Sequence, residues 1–115
     1  MGFNVAKLYE AVDSGNLDAF AALLEDDIVF QFGNAPELYG VSAVIEALEA
    51  FYRSIRGVRH FLHKVFSVDG HTFLTCDVEY FRLDGTSLRI PAAVLLRHGE
   101  ERISEYRIFV DNGEL

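Results

Sequence analysis

The apolar residues of this chain change period once, and that change constrains the fold more than any other feature. In the first half the spacing is helical: Val5, Leu8, Tyr9 and Val12 recur at i, i+3, i+4 and i+7 and predict a first helix that Gly15 stops. Asn16 is placed to cap a second helix, with Asp18 in its first turn and Leu17, Phe20, Ala21 and Leu24 as its buried stripe. Ile28 to Phe32 is a short β-prone run, and Gly33, Asn34 and Pro36 make 33–40 a loop. Val44, Ile45, Leu48, Phe51, Tyr52 and Ile55 then predict the longest helix, over 41–56, stopped by Gly57.

From residue 58 onward the period is two, and Asp69-Gly70, Asp84-Gly85 and His98-Gly99 separate four long strands of an antiparallel meander. The fold class is therefore α+β, three N-terminal helices packed on a curved, mostly antiparallel sheet. A chain of 115 residues has room for one domain, and no linker, repeat or low-complexity stretch divides 1–115.

A two-residue turn at Asp69-Gly70 sets Val68 opposite His71, which pairs Phe61 with Val78, His63 with Cys76 and Val65 with Leu74. In that register His63 and Phe61 point into the apolar face, with Tyr80, Ile90, Ala92, Val94, Leu96, Tyr106, Ile108 and Val110. The opposite face then carries His60, Leu62, Lys64 and Phe66 against Glu79, Asp77, Thr75 and Phe73. Arg89, Arg97 and Arg107 are expected to neutralise Asp77, Glu79 and Glu105 there. Leu62, Phe66, Phe73, Phe81, Leu95 and Phe109 make this outer face an apolar patch of a kind that isolated chains avoid, so a homodimer through it is expected. A slip of one residue would exchange the two faces and put His60, Asp77 and Glu79 into the interior instead.

The formal charge of -8, with no basic run, makes nucleic acid an unlikely partner. Cys76 is the only cysteine, so there is neither a disulfide framework nor a thiol set for zinc. No run approaches the roughly 20 apolar residues of a membrane span. A cytoplasmic protein that stays off membranes is the expectation.

Ten phenylalanines and an overall apolar half leave material to line a cavity without emptying the core. His63 is the candidate base, because an imidazole exchanges protons near neutral pH. Its alternative is a buried histidine satisfied by a carbonyl or a tyrosine. Tyr106, Tyr80 and Tyr52 are candidate hydroxyl donors, and Phe61 and Ile108 candidate lining residues. Glycine-rich phosphate loops, activated serines, paired-carboxylate motifs and metal-ligand spacings are absent, so no cofactor or metal is expected. A small apolar or cyclic molecule is the expected ligand.

The element order, with Leu8 to Val12, Gly15-Asn16-Leu17-Asp18, Leu23 to Phe30, Tyr39-Gly40 and Tyr106 to Asp111, resembles the SnoaL-like branch of the nuclear-transport-factor-2-like superfamily over nearly the whole chain. The resemblance implies a cone-shaped half-barrel of cystatin-like topology, a pocket between sheet and long helix, and usually a homodimer. It implies no one activity, since cyclases, isomerases, dehydratases, epoxide hydrolases and non-enzymatic modules share the fold. Position by position, the ketosteroid isomerase donors and base fall on Leu8, Phe32 and the neighbourhood of Ala93, all apolar. The epoxide hydrolase Trp-Arg-Asp pattern becomes Tyr106-Arg107-Ile108, its arginine falls near Thr75, and Asp77 matches the remaining aspartate. Arg59-His60-Phe61 resembles a strand of scytalone dehydratase whose histidine contacts substrate. These comparisons leave two readings open: an isomerase, cyclase or dehydratase of a cyclic or polyketide-like ligand, or a non-catalytic homodimeric binding module.

Overall fold

The computed structural model describes residues 3–115, so the first two positions of the expected 1–115 span lie outside the described residues. The elements run α1 (Val5–Ser14), α2 (Leu17–Ala21), β1 (Leu24–Phe32), β2 (Leu38–Tyr39), α3 (Val41–Arg53), β3 (Ile55–Val68), β4 (His71–Arg82), β5 (Ser87–His98) and β6 (Ile103–Val110). The strands form one open sheet in the order β2-β1-β6-β5-β4-β3, antiparallel everywhere except at β1–β6. The three helices cover its inner face.

The helix ends follow from local chemistry. The Asn4 side chain accepts from the Lys7 amide, Gly15 closes α1 in the left-handed region at φ 68°, and the Asn16 side chain accepts from the Ala19 amide to start α2. That second helix is a single turn and a half, and Leu24 opens β1 rather than closing the helix. The expected loop 33–40 contains β2, which pairs Val29 with Tyr39 and Phe30 with Leu38. The long helix also ends earlier than its apolar spacing predicts. Ser54 is its C-cap, and Ile55 and Gly57 belong to β3, because the strand pairs with β4 from Ile55–Arg82 onward.

One correction decides which side chains reach the interior. The Asp69-Gly70 turn, with φ 48° and 76°, sets Val68 opposite His71 and Val65 opposite Leu74 as expected. Between Leu62 and Lys64 the register shifts, and His63 is the extra residue of a β-bulge. Before the bulge Leu62 pairs with Cys76, Phe61 with Asp77, His60 with Val78 and Val58 with Tyr80. Cys76, Val78 and Tyr80 face inward, so Val58, His60 and Leu62 do too, while Phe61 turns outward. The side-chain faces of β4, β5 and β6 are those expected; only the first half of β3 is reversed.

The core joins both halves of the chain. Leu8, Ile28, Val44, Leu74, Leu96 and Ile103 are each fully buried, drawn from helices α1 and α3 and strands β1, β4, β5 and β6. Truncating any one to alanine removes packing from several elements at once, a loss of about 2–5 kcal/mol.

Candidate functional site

Between α3 and the sheet the core opens into a cavity of about 560 Å³, a size that suits a small organic ligand. From α3 come Leu48, Phe51 and Tyr52; from the sheet come Phe30, Val78, Val94 and Ile108; Pro36 and Leu38 close one side. The lining is almost wholly apolar. Among the described residues no arginine, lysine or carboxylate lines it, and the polar side chains that do are His60, Cys76, Tyr52, Tyr80 and Tyr106.

His60 is held from outside the cavity by Asp13. One carboxylate oxygen accepts from the His60 backbone N–H at 2.9 Å, and the other lies 2.6 Å from Nδ1. The strand explains half of this clamp: β3 is the sheet edge, so an outward N–H lacks a ladder partner and the carboxylate supplies one. The helix explains the other half. Asp13 follows Tyr9 by one turn on α1, and the Tyr9 ring lies 4.5 Å from the imidazole, pinning it against the helix. A carboxylate is acceptor only, so Nδ1 carries the hydrogen, and in the neutral ring Nε2 is then the acceptor. The His60 side chain retains only 12% of its accessibility.

The tyrosines divide by what their hydroxyls already do. Tyr52 donates to the Val12 carbonyl at 2.7 Å and Tyr106 donates to the Tyr9 oxygen at 3.2 Å. Among the described residues the Tyr80 hydroxyl makes no hydrogen bond, which leaves it free to donate to a ligand. Burial holds all of these phenols neutral: Tyr52 and Tyr80 are each pushed up to about 12, and Tyr9 and Tyr106 are raised as well. Cys76, beside them, is pushed up to about 11 by burial, so its thiol is protonated and a poor nucleophile at neutral pH.

His60 and Tyr80 belong together. They face inward on neighbouring strands as a diagonal pair, with Val58 opposite Tyr80 and Val78 opposite His60. The backbones of such diagonal pairs stand about 7–8 Å apart, within reach of one another's long side chains, so both can meet the same ligand.

The other expected site residues lie elsewhere. His63, expected inside, projects from the bulge to the outer surface with half its side chain exposed, and its Nε2 is 3.3 Å from Asp77. Phe61 also lies outside, with the Arg89 guanidinium 4.0 Å and the Arg59 guanidinium 5.1 Å from its ring centre. Asp77 bonds Arg89 at 3.0 Å as well as facing His63, and these two partners hold its carboxyl below the usual range. Glu79 sits opposite Arg59 and Arg89 on the same outer face. The reversed arrangement of His60, Asp77 and Glu79 is thus realised for His60 alone. Tyr52, Tyr80, Tyr106 and Ile108 do line the cavity.

Asp13 is the residue that sequence reasoning missed. Its signal was an acid in the last turn of a helix, where the dipole disfavours negative charge and a compensating donor has to exist.

A family model for the SnoaL-like domain matches residues 5–106. Among solved structures, the chain superposes on a nuclear-transport-factor-2-like protein of unknown function from Burkholderia pseudomallei with a TM-score of 0.86 at 16% identity, covering 96% of this chain and 89% of that one. A protein of ketosteroid-isomerase-like fold from Catenulispora acidiphila, in complex with trimethylamine, gives 0.83 at 18%, covering 91% and 82%. An epoxide hydrolase of limonene-epoxide-hydrolase-like type from M. tuberculosis gives 0.82 at 15%, covering 93% and 79%. At these identities the likeness is one of fold. No curated protein sequence matches the chain.

Proposed function

The chain belongs to the SnoaL-like domain family, and on that premise we propose that it binds a small, neutral, cyclic or polyketide-like molecule and moves a proton on it. The observation that carries this reading is the pairing of His60, its Nδ1 held by Asp13, with a Tyr80 hydroxyl that makes no hydrogen bond among the described residues, in an otherwise mostly apolar cavity. His60 Nε2 takes a proton from carbon next to a carbonyl, the electron pair moves onto the carbonyl oxygen, and the Tyr80 O–H donates to that oxygen. The imidazolium faces the Asp13 carboxylate, which stabilises it, and then returns the proton. Return to another carbon gives an isomer; transfer to a departing hydroxyl expels water. General base catalysis of this kind contributes roughly 10²–10⁴-fold.

The absence of a cationic side chain from the lining supports a neutral body for the part of the ligand that lies there. The test is direct: cyclic ketones bearing exchangeable α-hydrogens are incubated in D₂O with the protein and with His60→Ala. Exchange accelerated by the native chain and lost in the variant supports the reading, whereas equal rates in both would overturn it.

The second reading is a homodimeric interaction module, and one observation favours the dimer. On the outer face Phe66 is 59% and Phe109 55% exposed, with Phe73 and Val68 also in water, and both charge signs alternate around them. A patch with both signs complements a two-fold copy of itself. Sedimentation of the native chain against Phe66→Asp tests it: a dimer that the variant dissociates supports the contact, and a native monomer at micromolar concentration removes it. The open cavity favours ligand binding with or without that dimer.

A further inference from the structure

Phe32 at the end of β1 and Phe51 in the last turn of α3 line a second hollow of about 560 Å³ as well as the first. Their ring centres are 5.8 Å apart, and this tilted pair forms part of the wall that both spaces share. Both rings are only half-buried.

The second hollow differs in character from the first. Its floor is apolar, from Ile55 and Leu83, and Leu83 is 64% exposed, an aliphatic side chain that folding leaves in water. Its rim is polar, from Arg82, Asp84 and Asn112. Arg82 donates from Nη1 to the Thr86 hydroxyl at 3.3 Å and from Nη2 to the Glu114 carbonyl at 2.8 Å, which uses two of five donors. Among the described residues no carboxylate lies within ion-pair distance of it. Asp84 accepts from the Thr86 amide at 2.9 Å and the Thr86 hydroxyl at 2.6 Å and feels the Arg82 charge only at a distance.

We propose that the two spaces serve one elongated ligand: a cyclic head beside His60, an apolar chain passing the Phe32–Phe51 pair and lying along Leu83, and a terminal carboxylate on Arg82. The inference rests on the reading of the inner cavity as a ligand site and adds to it the shape and charge of what enters. A carboxylate suits a planar guanidinium that keeps N–H donors free. A more highly charged terminus would meet Asp84 and the net charge of -8.

The experiment measures binding of ω-phenylalkanoates, from phenylacetate to phenyloctanoate, and of the matching carboxamides by titration calorimetry. Affinity is expected to rise by about fourfold per methylene once the chain passes the phenylalanine pair. At the longer lengths alone, acid should exceed amide by roughly fivefold, a difference that salt weakens and Arg82→Gln removes. Leu83→Asp should cancel the gain from chain length while short-chain binding persists. Short phenyl compounds that bind without any gain from a longer chain, or an acid preference that survives Arg82→Gln, would overturn the extension and leave the inner site standing. If no member bound at any length, the inner-cavity reading and the extension would fall together.

Discussion

Asp13 and His60 are joined twice, through the backbone amide at 2.9 Å and through the ring at 2.6 Å, across 47 residues of chain. The link ties the last turn of α1 to the edge strand of the sheet and sets which imidazole nitrogen faces the cavity. An acid there opposes the helix dipole by about 0.3–1 kcal/mol, and two donors that would otherwise lack protein partners offset that cost.

Asp13→Asn keeps the shape and one acceptor but removes the charge and lets the amide present a donor to Nδ1. The expected result is a His60 that no longer holds the Nδ1–H tautomer, visible in long-range ¹⁵N–¹H correlation spectra, with a stability loss of about 1–3 kcal/mol. Any proton-exchange activity should fall by roughly a hundredfold or more, since the nitrogen facing the ligand would carry a hydrogen. A spectrum unchanged from the native chain would show that the carboxylate does not set the tautomer.

Tyr80→Phe and Tyr106→Phe separate a free hydroxyl from an engaged one. Among the described residues the Tyr80 hydroxyl has no partner, so its removal should leave stability within about 0.5 kcal/mol of native while weakening the binding of a ketone ligand. Loss of the Tyr106 hydroxyl takes the bond to Tyr9 with it and should cost about 1 kcal/mol. Urea melts of the two variants check the order, which would be reversed if the Tyr80 hydroxyl were structural.

The strand faces explain how much of this site was legible. In the middle of β4 the polar Thr75, Asp77 and Glu79 alternate with Leu74, Cys76, Val78 and Tyr80, so parity assigns the latter to the interior, and pairing carries Ala92 and Val94 of β5 in with Cys76 and Leu74. In Arg59-His60-Phe61-Leu62-His63 two large apolar residues are adjacent, and neither parity is favoured; the bulge lies at the end of that doublet. A turn transmits register only as far as the first bulge, so inference from Asp69-Gly70 placed His63 inside and His60 outside. The contact from Asp13 has no local sequence mark at all beyond its unfavourable place on the helix, because only the packed fold brings residue 13 to residue 60.

His63 consequently becomes a surface residue with an electrostatic role. Asp77 is held below the usual carboxylate range by His63 first and Arg89 second. A depressed native value stabilises the fold above the unfolded value and loses that contribution as pH falls through the native one. His63→Ala should move the Asp77 titration upward, toward the ordinary range, as followed by carboxyl ¹³C shifts, with ligand binding and exchange unchanged. Loss of exchange activity in this variant would restore His63 as a member of the site.

The tyrosines set the alkaline limit of the fold. Burial raises Tyr52 and Tyr80 to about 12 and also raises Tyr9 and Tyr106, against an unfolded value near 10, so the neutral phenols are favoured in the folded chain. Their contribution is complete below about pH 10 and is lost as pH rises through the native values. Tyr39, which is exposed and bonded to Glu37, is the fifth and should ionise without structural change. Tyrosinate absorbance followed alongside far-ultraviolet circular dichroism should therefore show one phenol ionising early and four together with unfolding. Tyr80→Phe should remove one chromophore from the cooperative step and move its midpoint to higher pH, since one fewer buried acid then draws the chain toward the unfolded state. Gradual ionisation of the inner phenols with the dichroism intact would mean instead that water and hydroxide reach the cavity freely, and the dry environment on which the His60–Tyr80 chemistry depends would be absent.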